Sequence, residues 1–208
     1  MTQQPVSQRF LILHGLTNRR PECHWERRLA AALRRAGHVV AYPQLPDTDS
    51  PDLGTWLEVV AADLEILEEA VEPGTPSPLT VVAHSLGAVT WLHGVARGLP
   101  VRPDRVLLVA PAGPDELEDA AAGFALRPSL GSPTREQVAA SAGSTLLVWS
   151  GDDEWCAAGV DVVFGEPLGV PIVTVPGGGH LALGDGFGEW PDVVAWALSG
   201  EAAWPTGG

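Results

Sequence analysis

Two patterns of apolar positions alternate along this chain. Short, nearly continuous apolar runs occur at Phe10–Leu13, Val39–Tyr42, Leu79–Ala83, Val106–Ala110, Leu146–Trp149 and Ile172–Val175. Between them, apolar residues recur at helical spacing over Trp25–Arg35, Thr55–Val71, Leu86–Ala96, Arg135–Ser141 and Trp190–Leu198, with a weaker stretch inside Ala157–Phe164. A run that is apolar at almost every position suits a strand buried on both faces, as in a parallel sheet. Its alternation with helices predicts βαβ units and an α/β fold, a three-layer αβα sandwich around a mostly parallel sheet of about six strands.

The punctuation agrees with these elements. Gly37 stops the first helix, and Pro191 opens the last in its first turn. Glu72–Pro78 is a turn-rich connector. Ala112–Pro133 is the one stretch with room for a lid, and it is too short for a separate cap domain. Residues 1–8 and 201–208 are expected to be loose tails. With no internal repeat and no boundary in composition, residues 1–208 are expected to form one domain.

The third apolar run leads directly into Ala83-His84-Ser85-Leu86-Gly87 and then a helical pattern. Small-x-Ser-x-Gly between a strand and a helix has the form of a nucleophile elbow. The chain turns sharply there and the helix approaches the sheet closely, so the flanking residues must be small, as Ala83 and Gly87 are. Such a turn would expose the Ser85 hydroxyl at a helix N-terminus, where backbone N–H groups favour developing negative charge.

A serine hydroxyl attacks only when a nearby base takes its proton. In this kind of sheet the acid and the base follow the serine in the order Ser, Asp/Glu, His, at the ends of later strands. The fifth run is followed by Asp152-Asp153, and either could be that acid. The sixth is followed by Pro176-Gly177-Gly178-Gly179-His180, a glycine turn that can carry His180 back over the sheet. Of the six histidines, only His180 follows the last strand. The oxyanion hole needs two N–H donors: Leu86 after the serine, and Leu16 in the His14-Gly15-Leu16 turn after the first strand. His84 is expected to fix the elbow by local hydrogen bonds. His14 and His24 are expected to support the site, with His14 and Trp155 as candidate pocket residues.

Composition narrows the partners. The formal charge is −14, a field that repels nucleic acid and anionic membrane surfaces. All the basic residues are arginine, so neither a Schiff base nor the phosphate lysine of a nucleotide loop is available. No apolar run is long enough to span a membrane, and Met1–Gln8 lacks the apolar core of a signal peptide, so a cytoplasmic location is expected. Cys23 and Cys156 lack metal-ligand spacing and are expected to be free thiols. No metal and no cofactor are expected.

In their order along the chain these features resemble the small serine hydrolases grouped with retinoblastoma-binding protein nine and the bacterial YdeN-type proteins. The resemblance rests on Leu13-His14-Gly15, His24-Trp25, Pro43-Gln44-Leu45-Pro46 followed by Trp56-Leu57, and Ala83–Gly87. It continues through Val109–Ala112, Asp152-Asp153, and the segment from His180 to Gly186-Phe187-Gly188-Glu189-Trp190-Pro191. It implies an α/β-hydrolase fold without a cap domain and a triad of Ser85, Asp153 and His180, and so favours Asp153 over Asp152. It departs from the family at Glu154-Trp155, where many members have proline after the second aspartate. The expectation is a hydrolase cleaving a small carboxylic ester through an acyl-enzyme on Ser85. Alternatives are thioester or amide cleavage on the same residues, or a non-catalytic interaction module on a hydrolase fold.

Overall fold

Among the described residues, six parallel strands form one sheet: β1 (Arg9–Leu13), β2 (Val39–Ala41), β3 (Leu79–His84), β4 (Arg105–Val109), β5 (Ser144–Trp149) and β6 (Ile172–Thr174), in the order β2-β1-β3-β4-β5-β6. The computed structural model describes residues 6–72, 74–127 and 131–204. All five strand pairings are parallel, so the sheet is wholly rather than mostly parallel. Each apolar run forms a strand, with ends displaced by one or two residues. Ala110, for example, still donates its N–H to the Val148 carbonyl at 2.8 Å, but its φ of 42° turns the chain out of the strand.

Alternate residues along each strand enter opposite layers. Phe10, Ile12, Val82, Leu107 and Val148 pack under α1 (Trp25–Arg35) and α7 (Pro191–Ser199). Leu11, Leu13, Val81, Leu108 and Leu147 pack under α2 (Leu53–Glu69), α3 (Leu86–Arg97) and α5 (Arg135–Ser141). Burying each such side chain contributes about 1.5–3 kcal/mol, which is why the central strands are almost wholly apolar on both faces.

Two segments differ from expectation. Ala157–Phe164 is not a continuous helix: a π-helical turn at Asp161–Gly165 runs into the single turn α6 (Glu166–Leu168), because Gly159 sits at φ +90° and breaks any earlier start. The expected lid stretch carries α4 (Leu117–Ala121), and Leu117, Ala121, Phe124 and Leu126 are buried in the core. The Phe124 ring stands edge-on to Trp56, 5.3 Å between centroids. That part of the stretch is anchored to the core; residues 128–130 lie outside the described residues. So do 1–5 and 205–208 of the expected tails, whereas Gln8 is tied to Leu198 and Arg105.

The connection from β1 leads to one side of the sheet and that from β3 to the other. In an open parallel sheet this divergence leaves a crevice beyond the carboxyl ends of the two strands. Gly15-Leu16 follows β1 and Ser85 follows β3, so both sit at that crevice.

Candidate active site

Ser85 is the single residue between β3 and α3, at φ 54° and ψ −124°, a positive φ that a residue with a Cβ adopts only when its surroundings hold it there. Its N–H donates to the Val109 carbonyl at 2.9 Å, extending the β3–β4 ladder by one residue. Sterics supply the rest. A Cβ at Gly87 would lie 2.6 Å from both the Leu13 and His14 carbonyl oxygens, and one at Gly15 would lie 2.7 Å from Ser85 Cβ. The turn is thus wedged against the end of β1, and glycine at both positions permits it.

The loops after β5 and β6 bring two more groups to the serine. His180 Nε2 lies 2.8 Å from Ser85 Oγ, and His180 Nδ1 lies 2.9 and 3.0 Å from the two oxygens of Asp153. A carboxylate only accepts, so the proton is on Nδ1 and the Nε2 lone pair faces the serine hydroxyl. Asp153 is buried, and its Oδ1 also accepts the Trp155 N–H at 2.9 Å. Asp152 is exposed and does not reach His180. It accepts the Gly179 N–H at 3.1 Å and pairs with the Ser150 hydroxyl, and these hydrogen bonds, the Ser150 one foremost, hold its carboxyl below the usual range. The adjacent acids therefore divide: one faces His180, the other shapes the turn that delivers it.

The His180 loop is held at several points. Gly177, Gly179 and Leu181 all have positive φ. Asp185 Oδ2 accepts the N–H groups of His180 and Ala182, each at 3.1 Å, and Trp25 Nε1 donates to the Leu181 carbonyl at 2.9 Å. His84 Nε2 donates to the carbonyl of His180 itself at 2.9 Å. The reach from His84 is to a loop 96 residues on, not to the local elbow as the sequence suggested.

A cavity of about 450 Å³ opens over Ser85 and His180, lined in part by Gly15, Leu16, His24, Trp155 and Leu183. The Trp155 ring lies 5.7 Å from the His180 ring. No described residue of 112–133 lines it. His14, expected at the pocket, is fully buried outside it. Its Nδ1 lies 2.9 Å from the Gly15 carbonyl and its Nε2 accepts the Leu45 N–H at 2.9 Å, so it braces the β1 loop against the Pro43–Pro46 run. Burial lowers its pKa to about 4, which keeps Nε2 free to accept. Cys23 and Cys156 are free; burial, with Glu116 close by, pushes the Cys156 thiol up to about 12.

No motif in the sequence marks Glu26. It is completely buried behind the elbow, accepting from Asn18 Nδ2 at 2.8 Å and from the Tyr42 hydroxyl at 3.0 Å. Burial raises its pKa to about 8. The signal was present in α1, where Glu26 falls on the same buried stripe as Ala30 and Leu33.

A family model described as "Serine hydrolase" matches residues 10–198. No curated protein sequence matches the chain. Among solved structures, the chain is similar to the ydeN gene product of B. subtilis, with a TM-score of 0.70 and 20% identity over 91% of this chain and 96% of that one. It is similar to a YdeN-like hydrolase of Pectobacterium atrosepticum, with a TM-score of 0.67 and 22% identity over 95% and 92%. Est1E of Butyrivibrio proteoclasticus gives a TM-score of 0.59 and 16% identity over 96% and 88%. At such identities the likeness is one of fold. Among the described residues, no helix is long and apolar enough to cross a membrane.

Proposed function

The chain belongs to the serine hydrolase family, and on that premise we propose that it cleaves small carboxylic esters through an acyl-enzyme on Ser85. The observation that carries this reading is the continuous line from Asp153 through His180 to Ser85 Oγ, with hydrogen-bond lengths of 2.8 to 3.0 Å.

As Ser85 Oγ attacks the carbonyl carbon, His180 Nε2 takes the hydroxyl proton. Asp153 on Nδ1 holds the tautomer and stabilises the imidazolium that forms. The carbonyl oxygen becomes an oxyanion, received by the N–H groups of Leu86 and Leu16. The Leu86 N–H lies in the first turn of α3, where no intrahelical carbonyl reaches it. Leu16 follows the glycine packed against Ser85 and lines the cavity. The tetrahedral intermediate then expels the alcohol, protonated by the imidazolium. In the second half, His180 takes a proton from water, the hydroxide attacks the acyl carbon, and Ser85 recovers its proton as the acid departs. A cavity of this size, with no described residue of 112–133 lining it, favours a small substrate.

The test is labelling by a fluorophosphonate probe beside turnover of a panel of activated esters, thioesters and anilides. The proposal expects Ser85 to be labelled, Ser85→Ala to be unlabelled, and esters to be turned over fastest. An unlabelled wild type, or equal labelling of the Ser85→Ala variant, removes it.

A further inference from the structure

Behind the elbow, two buried polar atoms face each other. Glu26 Oε1 and His84 Nδ1 have no hydrogen-bond partner among the described residues, and they are 3.9 Å apart. The rest of each side chain is fully engaged. Glu26 Oε2 takes the Asn18 and Tyr42 donors. His84 Nε2 faces the His180 carbonyl, which can only accept, so Nε2 carries the ring proton and Nδ1 is a bare lone pair. Two lone pairs opposed in a buried site are costly unless a positive centre lies between them.

We propose that this centre is a proton carried by Glu26 and donated to His84 Nδ1, making Glu26 a positioning residue for the base His180, through His84. The chain runs from the Glu26 carboxyl O–H to His84 Nδ1, and from His84 Nε2–H to the His180 carbonyl. Closing the 3.9 Å gap to hydrogen-bond length takes a movement of about 1 Å. No atom is gained or lost; the carboxyl proton simply fixes the tautomer of His84. A divalent cation fits the same place less well. The His24 nitrogen nearest the carboxylate, Nδ1, 3.4 Å away, already accepts the Glu26 N–H as the cap of α1.

The neighbourhood keeps the proton on the carboxyl. The groups facing His84 are Glu26 from α1, His24 before it, His14 at the end of β1, and His180, whose ring is 5.0 Å away. Burial holds His84 well below the ordinary histidine range and brings His14 and His24 to about 4, so none of the three is charged at neutral pH. Tyr42 and Asn18 complete the ring around Glu26, and burial pushes the Tyr42 phenol up, so it stays a donor. An uncharged His84 also leaves the imidazolium on His180 unopposed during turnover. With Glu26 raised to about 8, ionisation on the alkaline side turns the donor into an acceptor. His84 then regains a hydrogen bond only by moving its proton to Nδ1, which abandons the His180 carbonyl.

The inference rests on His180 acting as the base of Ser85, so its test has one arm that does not depend on turnover. In Ser85→Ala protein with isotope-labelled histidine, NMR reports which ring nitrogen of His84 holds the proton. The proposal expects Nε2 at neutral pH, a change on the alkaline side, and no change in the Ser85→Ala, Glu26→Gln double variant, whose amide donates at every pH. Persistent Nδ1 protonation at neutral pH overturns it. The second arm follows kcat and KM for a nitrophenyl ester across the alkaline range. Glu26→Leu, which cannot donate, is expected to lower kcat about tenfold or more with KM little changed. Glu26→Gln is expected to restore most of that loss and to remove the alkaline decline. A Glu26→Gln profile that keeps the wild-type alkaline decline overturns the proposal even if Glu26→Leu fails to fold. So does one equivalent of zinc retained by purified wild type and lost from Glu26→Gln. Failure of fluorophosphonate labelling, by contrast, strikes the hydrolase reading and leaves the His84 tautomer to be judged by itself.

Discussion

Ser85 and His180 meet across 2.8 Å but are held by different physics. The serine is fixed by shape: a residue at positive φ between a strand and a helix, wedged by two glycines against the end of β1. The histidine is fixed by polar bonds drawn from across the chain: Asp153 on the ring, Asp185 on the N–H, His84 on the carbonyl. A steric clamp fails through an added methyl group, whereas a polar clamp fails through a lost donor or acceptor. The two sides of the site should therefore respond to different substitutions.

The largest effect belongs to the polar side. Asp153→Asn keeps the shape of the side chain but can present an amide donor to Nδ1, which favours the wrong tautomer of His180. A fall in kcat of about 10⁴-fold is expected, with the fold retained. Asp152→Asn, one residue away, touches only Ser150 and Gly179 and is expected to cost less than about tenfold. Steady-state kinetics of the two variants decide the point. If Asp152→Asn is the more damaging, the division of labour between the two acids is wrong.

The steric side is tested by single methyl groups. Gly87→Ala sets a Cβ against two backbone oxygens that have nowhere to go, and a loss of about 1–3 kcal/mol in unfolding free energy is expected. Gly15→Ala sets its Cβ against Ser85 itself, 2.9 Å from Oγ. There the expected loss is about 100-fold in kcat with a smaller change in stability. Denaturant titration and kinetics on the same samples separate them; the reverse pattern would remove the wedge as the explanation.

The same contrast governs which features are legible in the amino-acid sequence. Steric demands write themselves into adjacent residues: the elbow needs Ala83 and Gly87 beside Ser85, and the returning loop needs Gly177 and Gly179 before His180. The strands are legible for the same reason, since a position buried on both faces must be apolar. Polar support leaves no such mark in adjacent residues. The partner of His84 lies 96 residues away, and Asp185 supports His180 by a turn that no nearby pattern announces. Separating Asp152 from Asp153 takes the resemblance to a known family, because two adjacent acids in a turn offer no difference in chemistry. His14 reads as a pocket residue because a histidine in the loop after β1 looks the same whether it faces the cavity or a backbone N–H behind it.

A smaller effect is expected at Asp185. Its carboxylate gathers the N–H groups of His180 and Ala182 without touching Ser85. Asp185→Ala should loosen the loop and lower kcat about tenfold, leaving KM nearly unchanged. Unchanged kcat would mean that Asp153, Trp25 and His84 suffice to hold His180.

The most delicate probe is the pH dependence of stability, where the buried groups pull in opposite directions. His14 and His24 have folded pKa values near 4 against an ordinary 6.5, so the unfolded chain binds more protons between those values. Stability from them is present above 6.5 and is lost as pH falls toward 4. Glu26 is the reverse: raised from 4.5 to about 8, it makes the folded chain bind the extra proton. Its contribution is present below 4.5 and is lost as pH rises toward 8. Between 4.5 and 6.5 the two histidines outweigh the one glutamate, and above 6.5 the glutamate acts alone. Unfolding free energy should therefore peak near pH 6.5 and fall toward pH 8 by at most about 2 kcal/mol. Glu26→Gln should flatten the alkaline slope and leave the acid slope in place, because the amide titrates with neither state. Denaturant midpoints measured across this range test both limbs, and an alkaline slope that survives Glu26→Gln would assign it to some group other than the carboxyl behind the elbow.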